Sequence, residues 1–140
     1  MEMLNNMIEC LFCKIASGDI PCYKVFDDES VLAFLDIHPC SKGHTVVIPK
    51  FHAGELSELE NKSWLALMSG LKSAAGLIEL KLKPAGLNIG INERKAAGQV
   101  VPHVHWHIIP RYEGDGGGSM HSIIRSSDPG DVAEVARLFV

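Results

Sequence analysis

The stretch His103-Val104-His105-Trp106-His107-Ile108-Ile109 alternates imidazoles with apolar side chains. Successive side chains of a β-strand point to opposite faces, so the run predicts a strand with three imidazoles on one face and Val104, Trp106 and Ile108 on the other. The apolar face reads as core and the histidine face as the wall of a site. Pro102 and Pro110 bracket the run, and proline suits strand ends and loops rather than strand interiors. Two chemistries fit such a face: three imidazoles ligating a catalytic metal, or one imidazole acting as a nucleophile positioned by the others. A solvated, histidine-rich edge strand explains the pattern less well, because Trp106 and Ile108 on its reverse side call for a core.

Outward from this run, the chain of 140 residues is 46% hydrophobic, enough for one domain spanning 1–140 with its own core. A formal charge of −4 and a pI near 5.9 argue against a partner made of nucleic-acid polymer. They leave room for a mononucleotide-sized anion at a local site. The first nine residues carry two Glu and no basic residue, unlike a signal peptide, and no run has the length to span a membrane. Cys10, Cys13, Cys22 and Cys40 are too few and too clustered for a disulfide scaffold, which points to the cytoplasm and reduced thiols.

Residues 10–17 read as a short helix closed by Gly18. Residues 23–26 and 31–37 read as a hairpin joined by Asp27-Asp28-Glu29-Ser30, and 44–48 as a third strand ended by Pro49. Ser57 with Glu60 reads as a capping box, and Trp64, Leu67, Met68, Leu71, Ala75, Ile78 and Leu82 recur at helical spacing up to Pro84. A fourth strand over 87–91, a loop over 92–101 and the histidine strand complete the set. The expectation is an α+β fold: a five-stranded antiparallel sheet with one long helix across it, a short N-terminal helix and a C-terminal tail. In the tail, the glycine-rich 114–118 is followed by a possible edge strand over 121–124. A terminal helix is expected with Asp128 as its cap and Pro129 at its first position.

His-Val-His-Trp-His-Ile-Ile resembles the signature of the histidine triad (HIT) nucleotide hydrolases and transferases. The likeness extends through Cys10-Leu-Phe-Cys-Lys-Ile15, Ala33-Phe-Leu-Asp-Ile37, Gly43-His-Thr-Val-Val-Ile-Pro-Lys50 with His52, and Gly86 to Arg111, so it covers a core of about residues 8–111. It implies attack on the α-phosphorus of a purine nucleotide by His105, a nucleotidyl-histidine intermediate, and a homodimer. By the same likeness His107 and His44 donate to the non-bridging oxygens, Asp36 accepts from the ribose hydroxyls, and Leu11, Phe12, Ile15, Phe34 and Ile37 clasp the base. Asn92 and the backbone N–H groups around Gly98 and Gln99 are expected as further donors.

The resemblance also implies a structural zinc held by Cys10, Cys13, His52 and His103, with no catalytic metal. On residues alone the Cys-x-x-Cys pair stays open between a redox pair, half a zinc site and two inert helix residues, although a thioredoxin-like βαβ context is missing. If His103 ligates zinc, it is not a free acid or base. Relatives with a small amine leaving group often carry a serine where this chain has Val100, a departure that favours other leaving groups such as a polyphosphate. A zinc-stabilised nucleotide-binding module with little catalysis, or a three-histidine metallohydrolase, are the competing readings.

Overall fold

Val31–Leu35 and Thr45–Pro49 are almost uninterrupted β-branched and apolar runs, and such runs form strands covered on both faces. They are β2 and β3, the centre of the sheet. In the computed structural model, which describes residues 2–140, Lys24–Asp27 (β1), Gly86–Ile91 (β4) and Trp106–Arg111 (β5) complete it. The order is β1-β2-β3-β5-β4, and every neighbouring pair is antiparallel. The chain thus has the α+β architecture expected of it.

Register decides what each face carries. Ala33, Val47, Trp106 and Ile91 lie in one row across four strands, and Phe34, Val46, His107 and Gly90 form the next. The first row faces the long helix α3 (Asn61–Leu82), whose Leu67, Leu71, Ala74 and Ile78 are buried at helical spacing against Val31, Val47 and Ile108. Gly70 permits this approach, because a Cβ there would stand 2.6 Å from Val31 Cγ1. The second row faces the short helix α2 (Leu11–Ser17), with Phe12 packed against Leu32, Phe34, Val46 and Ile48. No helix among the described residues is long and apolar enough to cross a membrane.

Several boundaries differ from the sequence expectation. The strand ladder of β5 begins at Trp106 rather than His103. His103 N–H instead donates to Val101 and Val104 N–H to Ala53, so the upstream residues alternate between faces without pairing in the sheet. Pro110 lies within β5 opposite Leu87, tolerated because the pairing to β3 has already ended at Ile108. β3 starts at Thr45 rather than His44 and ends at Pro49, its last paired residue.

The Ser57–Glu60 capping box is absent. Leu56–Glu58 is a 3-10 turn, the Glu58 carboxylate accepts from Gly54 N–H, and α3 starts at Asn61 without a side-chain cap. An additional helix, α1 (Glu2–Glu9), precedes α2. Met120–Ser122 is a 3-10 turn, not an edge strand. The terminal helix α4 (Val132–Ala136) is capped by Asp131, whose carboxylate accepts from Glu134 N–H, while Asp128 closes a turn onto Gly130 N–H.

Candidate active site

The histidine segment leaves the loop after Pro102 and enters β5, which sets its three rings in different surroundings. His103 is wholly buried. Its Nε2–H donates to the Pro49 carbonyl at 2.8 Å, so Nδ1 keeps its lone pair. That nitrogen lies 3.4 Å from Cys10 Sγ and 3.5 Å from Cys13 Sγ, and His52 Nδ1 lies 3.3 Å from Cys13 Sγ. The four donor atoms are all within 4.8 Å of one another, a two-sulfur, two-nitrogen set that fits a tetrahedral metal ion. Burial and the neighbouring Cys10 push the Cys13 thiol up to about 12, a cost that a bound cation would offset by holding the thiolate.

The His103 carbonyl accepts from His105 Nδ1–H at 2.7 Å. His105 is thereby held with Nε2 unprotonated, and Phe12 meets its ring edge-on at a 5.0 Å centroid separation. Burial lowers its pKa, keeping the imidazole neutral around pH 7. A neutral imidazole with one engaged and one free nitrogen is a capable nucleophile.

His107 closes a relay. Cys40 N–H donates to His44 Nδ1 at 3.1 Å, which leaves the proton on His44 Nε2 to be donated to His107 Nδ1 at 2.9 Å. His107 Nε2–H is then the free donor. Burial, with His105 and His44 nearby, takes the His107 pKa down to about 4, and burial lowers that of His44. Asp36 Oδ2 lies 3.7 Å from His44 Nε2, and Asp36 Oδ1 accepts from His38 N–H.

The clusters that could hold a metal among the described residues are Cys10/Cys13/His52/His103 and Asp36/His44/His107. His105 belongs to neither, so the geometry does not support a three-histidine metal centre. In the second cluster the close His44–His107 contact is accounted for by their hydrogen bond.

A family model described as the HIT domain matches residues 17–114. The chain belongs to the HIT family. It is 50% identical over 107 residues to a HIT-like protein of Methanocaldococcus jannaschii, covering 76% of this chain and 82% of the relative. It is 44% identical over 104 residues to the adenosine 5'-monophosphoramidase of Schizosaccharomyces pombe, covering 74% and 75% of the two chains. Among solved structures it is similar to a zinc-bound histidine triad family protein from Mycobacterium smegmatis, with a TM-score of 0.72, 37% identity and coverage of 94% and 91%.

Around the HIT histidines, the residues expected at a nucleoside site divide in two. Phe12 and Phe34 are buried with ring centroids 5.6 Å apart, and Ile15 is half-buried behind them. Leu11 and Ile37, at 44% and 75% exposure, present apolar surface outward. Asn92 lines a cavity shared with His44 and His107. The loop at Gly98 departs from expectation, because Gly98 N–H donates to Lys95 and Gln99 N–H to Arg94, leaving neither as a free donor. The Gln99 amide is also spent, donating to Gly54 and Val101 and accepting from Arg94 N–H.

Sequence reasoning missed Arg111. Its guanidinium binds both carboxylate oxygens of Asp115 at 2.8 Å, Asn88 Oδ1 at 2.7 Å and the Gly118 carbonyl. The signal was present as an Arg–Asp spacing of four residues ahead of the glycine run, but that spacing is common on helices and carries no distinction in a loop.

Proposed function

We propose that the chain hydrolyses purine nucleotides at the α-phosphate through a covalent nucleotidyl intermediate on His105. The carrying observation is the His105 ring itself, whose Nδ1–H is fixed by the His103 carbonyl while Nε2 stays free. Its Nε2 forms a bond to the α-phosphorus as the bond to the leaving group breaks, and the departing atom takes a proton from solvent. Water then attacks the phosphorus, the phosphorus–nitrogen bond breaks, and the mononucleotide leaves with the proton returned to solvent. Phosphoryl transfer asks mainly for positioning and charge stabilisation. His107 Nε2–H, polarised through His44, donates to a non-bridging oxygen.

Asp36 accepts from the ribose hydroxyls, and Leu11, Phe12, Ile15, Phe34 and Ile37 form the apolar side that receives the base. Asn92 supplies a further amide donor. The named activity of the fission-yeast relative, an adenosine 5'-monophosphoramidase, supports this reading. Cys10, Cys13, His52 and His103 would hold zinc, which when bound supplies a structural cross-link between α2 and the histidine segment. The active species is a cytoplasmic homodimer.

The test is rapid quenching of wild-type and His105→Ala protein with α-labelled adenosine phosphoramidate or diadenosine tetraphosphate, followed by intact mass. The expected result is an adduct on wild type alone, and a loss of turnover of about 10³-fold or more in the variant. Nucleotide binding without adduct or product in either protein would overturn the enzyme in favour of a binding module.

A further inference from the structure

Cys10 and Cys13 stand at the start of α2 with only Leu11 and Phe12 between them. Cys10 caps the helix, its Sγ accepting from Cys13 N–H at 3.5 Å. Both sulfurs face one ring nitrogen, His103 Nδ1, at 3.4 and 3.5 Å. Thiols so placed can share a metal while reduced, and can also join each other as a disulfide when oxidised. Cys22 and Cys40 belong to neither cluster of metal-ligating residues.

The pair is open to small molecules. A cavity of about 700 Å³ is lined by Cys10, Leu11, His52, Val101 and Pro102 among others, so two residues of the four-residue metal set border free space. Cys13 is itself only half-buried. Resting on the nucleotide site described above, we propose that Cys10 and Cys13 form a redox switch: hydrogen peroxide converts them to a disulfide, which expels the metal and moves Leu11 and Phe12 off the base. One cysteine sulfur attacks a peroxide oxygen and the oxygen–oxygen bond breaks, leaving a sulfenic acid while hydroxide departs and takes a proton from solvent. The second sulfur attacks the first, the sulfur–oxygen bond breaks, and a second hydroxide leaves as water in the same way. The two sulfurs lose two electrons and the peroxide gains them.

Two consequences follow from the placement of the pair. Of the metal set only His52 and His103 remain, half the ligands that a tetrahedral structural site needs. A disulfide also draws its sulfurs to about 2.05 Å, so closure turns both from the His103 ring toward each other and tightens the turn that carries Leu11 and Phe12. Phe12 is the sensitive part of that turn. Its ring meets those of His105 at 5.0 Å, Phe34 at 5.6 Å and His103 at 6.0 Å, so its displacement disturbs both the base wall and the surroundings of the nucleophile.

The experiment uses zinc-loaded protein carrying Cys22→Ser and Cys40→Ser, which leaves the pair as its only thiols. After hydrogen peroxide, zinc release is followed with a chromogenic chelator, the modification by intact mass, and adenosine 5'-monophosphate binding by calorimetry. The expected result is loss of two hydrogen atoms in step with zinc release, and nucleotide affinity weakened by at least about tenfold. Dithiothreitol followed by zinc should restore all three. Reduced protein stripped of zinc separates the disulfide from metal loss, and its affinity should fall less than that of the oxidised form. Failure to take up zinc overturns the switch, as does zinc retained with the mass unchanged at a peroxide concentration that oxidises the exposed Cys40 of wild type. Oxygen gained in place of hydrogen lost overturns it too, as does an oxidised form whose affinity matches that of the zinc-loaded or the stripped reduced protein. No nucleotide binding by the reduced, zinc-loaded protein overturns the nucleotide reading itself, and the switch of affinity with it.

Discussion

His103 meets two separate demands with different atoms: its Nδ1 faces the thiols, and its carbonyl orients the next imidazole on the same face. The identity and alternation of these residues could be read from the sequence. Which ring nitrogen of His103 and of His107 is free could not, since that depends on Pro49, Cys40 and His44, all remote from them in the chain. Residues 98–99 show the same limit, because a glycine-rich loop suggests free N–H groups but cannot reveal that Lys95 and Arg94 already take them. A pH dependence follows from His107. Its pKa is lowered from 6.5 to about 4, chiefly by burial, so between those values the unfolded chain binds a proton that the folded chain refuses. Stability therefore falls as pH drops through this window and levels off below it. The His107 contribution is on the order of 1 kcal/mol, allowing for the solvent-facing edge of the ring. Urea unfolding from pH 7 to 4.5 should show this loss, with a shallower slope in His107→Gln.

Elements were legible where periodicity is strong and less so where partners decide the ends. α3 shows its apolar stripe over more than five turns, and β2 and β3 announce themselves by composition. The start of β5 coincides with the end of β4 at Ile91, upstream of which His103 and Val104 spend their N–H groups on Val101 and Ala53, and α3 starts after Glu58 has spent its carboxylate on Gly54, none of which is a local signal. Gly70 gives a test of how the helix is seated on the sheet. Alanine there improves helix propensity by about 1 kcal/mol, but its methyl would meet Val31, which is fully buried and has nowhere to move. Overpacking of about 2–3 kcal/mol should win, leaving Gly70→Ala net destabilised by about 1–2 kcal/mol. The measurement is thermal unfolding, with Gly76→Ala as the control, because a Cβ at Gly76 meets nothing within 4 Å and should leave the protein unchanged or slightly more stable.

At the scale of the whole molecule the tail and α2 are anchored differently. The tail is held at the surface by the Arg111 guanidinium and by Tyr112 Oη–H donating to the Lys42 carbonyl, whereas α2 is tied through Cys10 and Cys13 to His52 and His103, which come from the connection after β3 and the approach to β5. A metal bound at these four residues therefore joins three distant parts of the chain. It also stands one peptide group from the orientation of His105. Removing it would leave the Cys13 thiol protonated beside Cys10 and leave α2 held by the apolar packing of Phe12 and Ile15. Loss of a structural metal costs about 3 kcal/mol or more, which at about 4 °C per kcal/mol in a chain of this size lowers Tm by about 12 °C or more. Chelation followed by calorimetry should show that fall, with hydrolysis slowed through loss of the His105 geometry rather than abolished at once, and both should return when zinc is restored. In Cys13→Ser the same chelator should move Tm much less. An unchanged Tm in wild type after metal is shown to be gone would mean that apolar packing of Phe12 on Phe34 holds α2 without help.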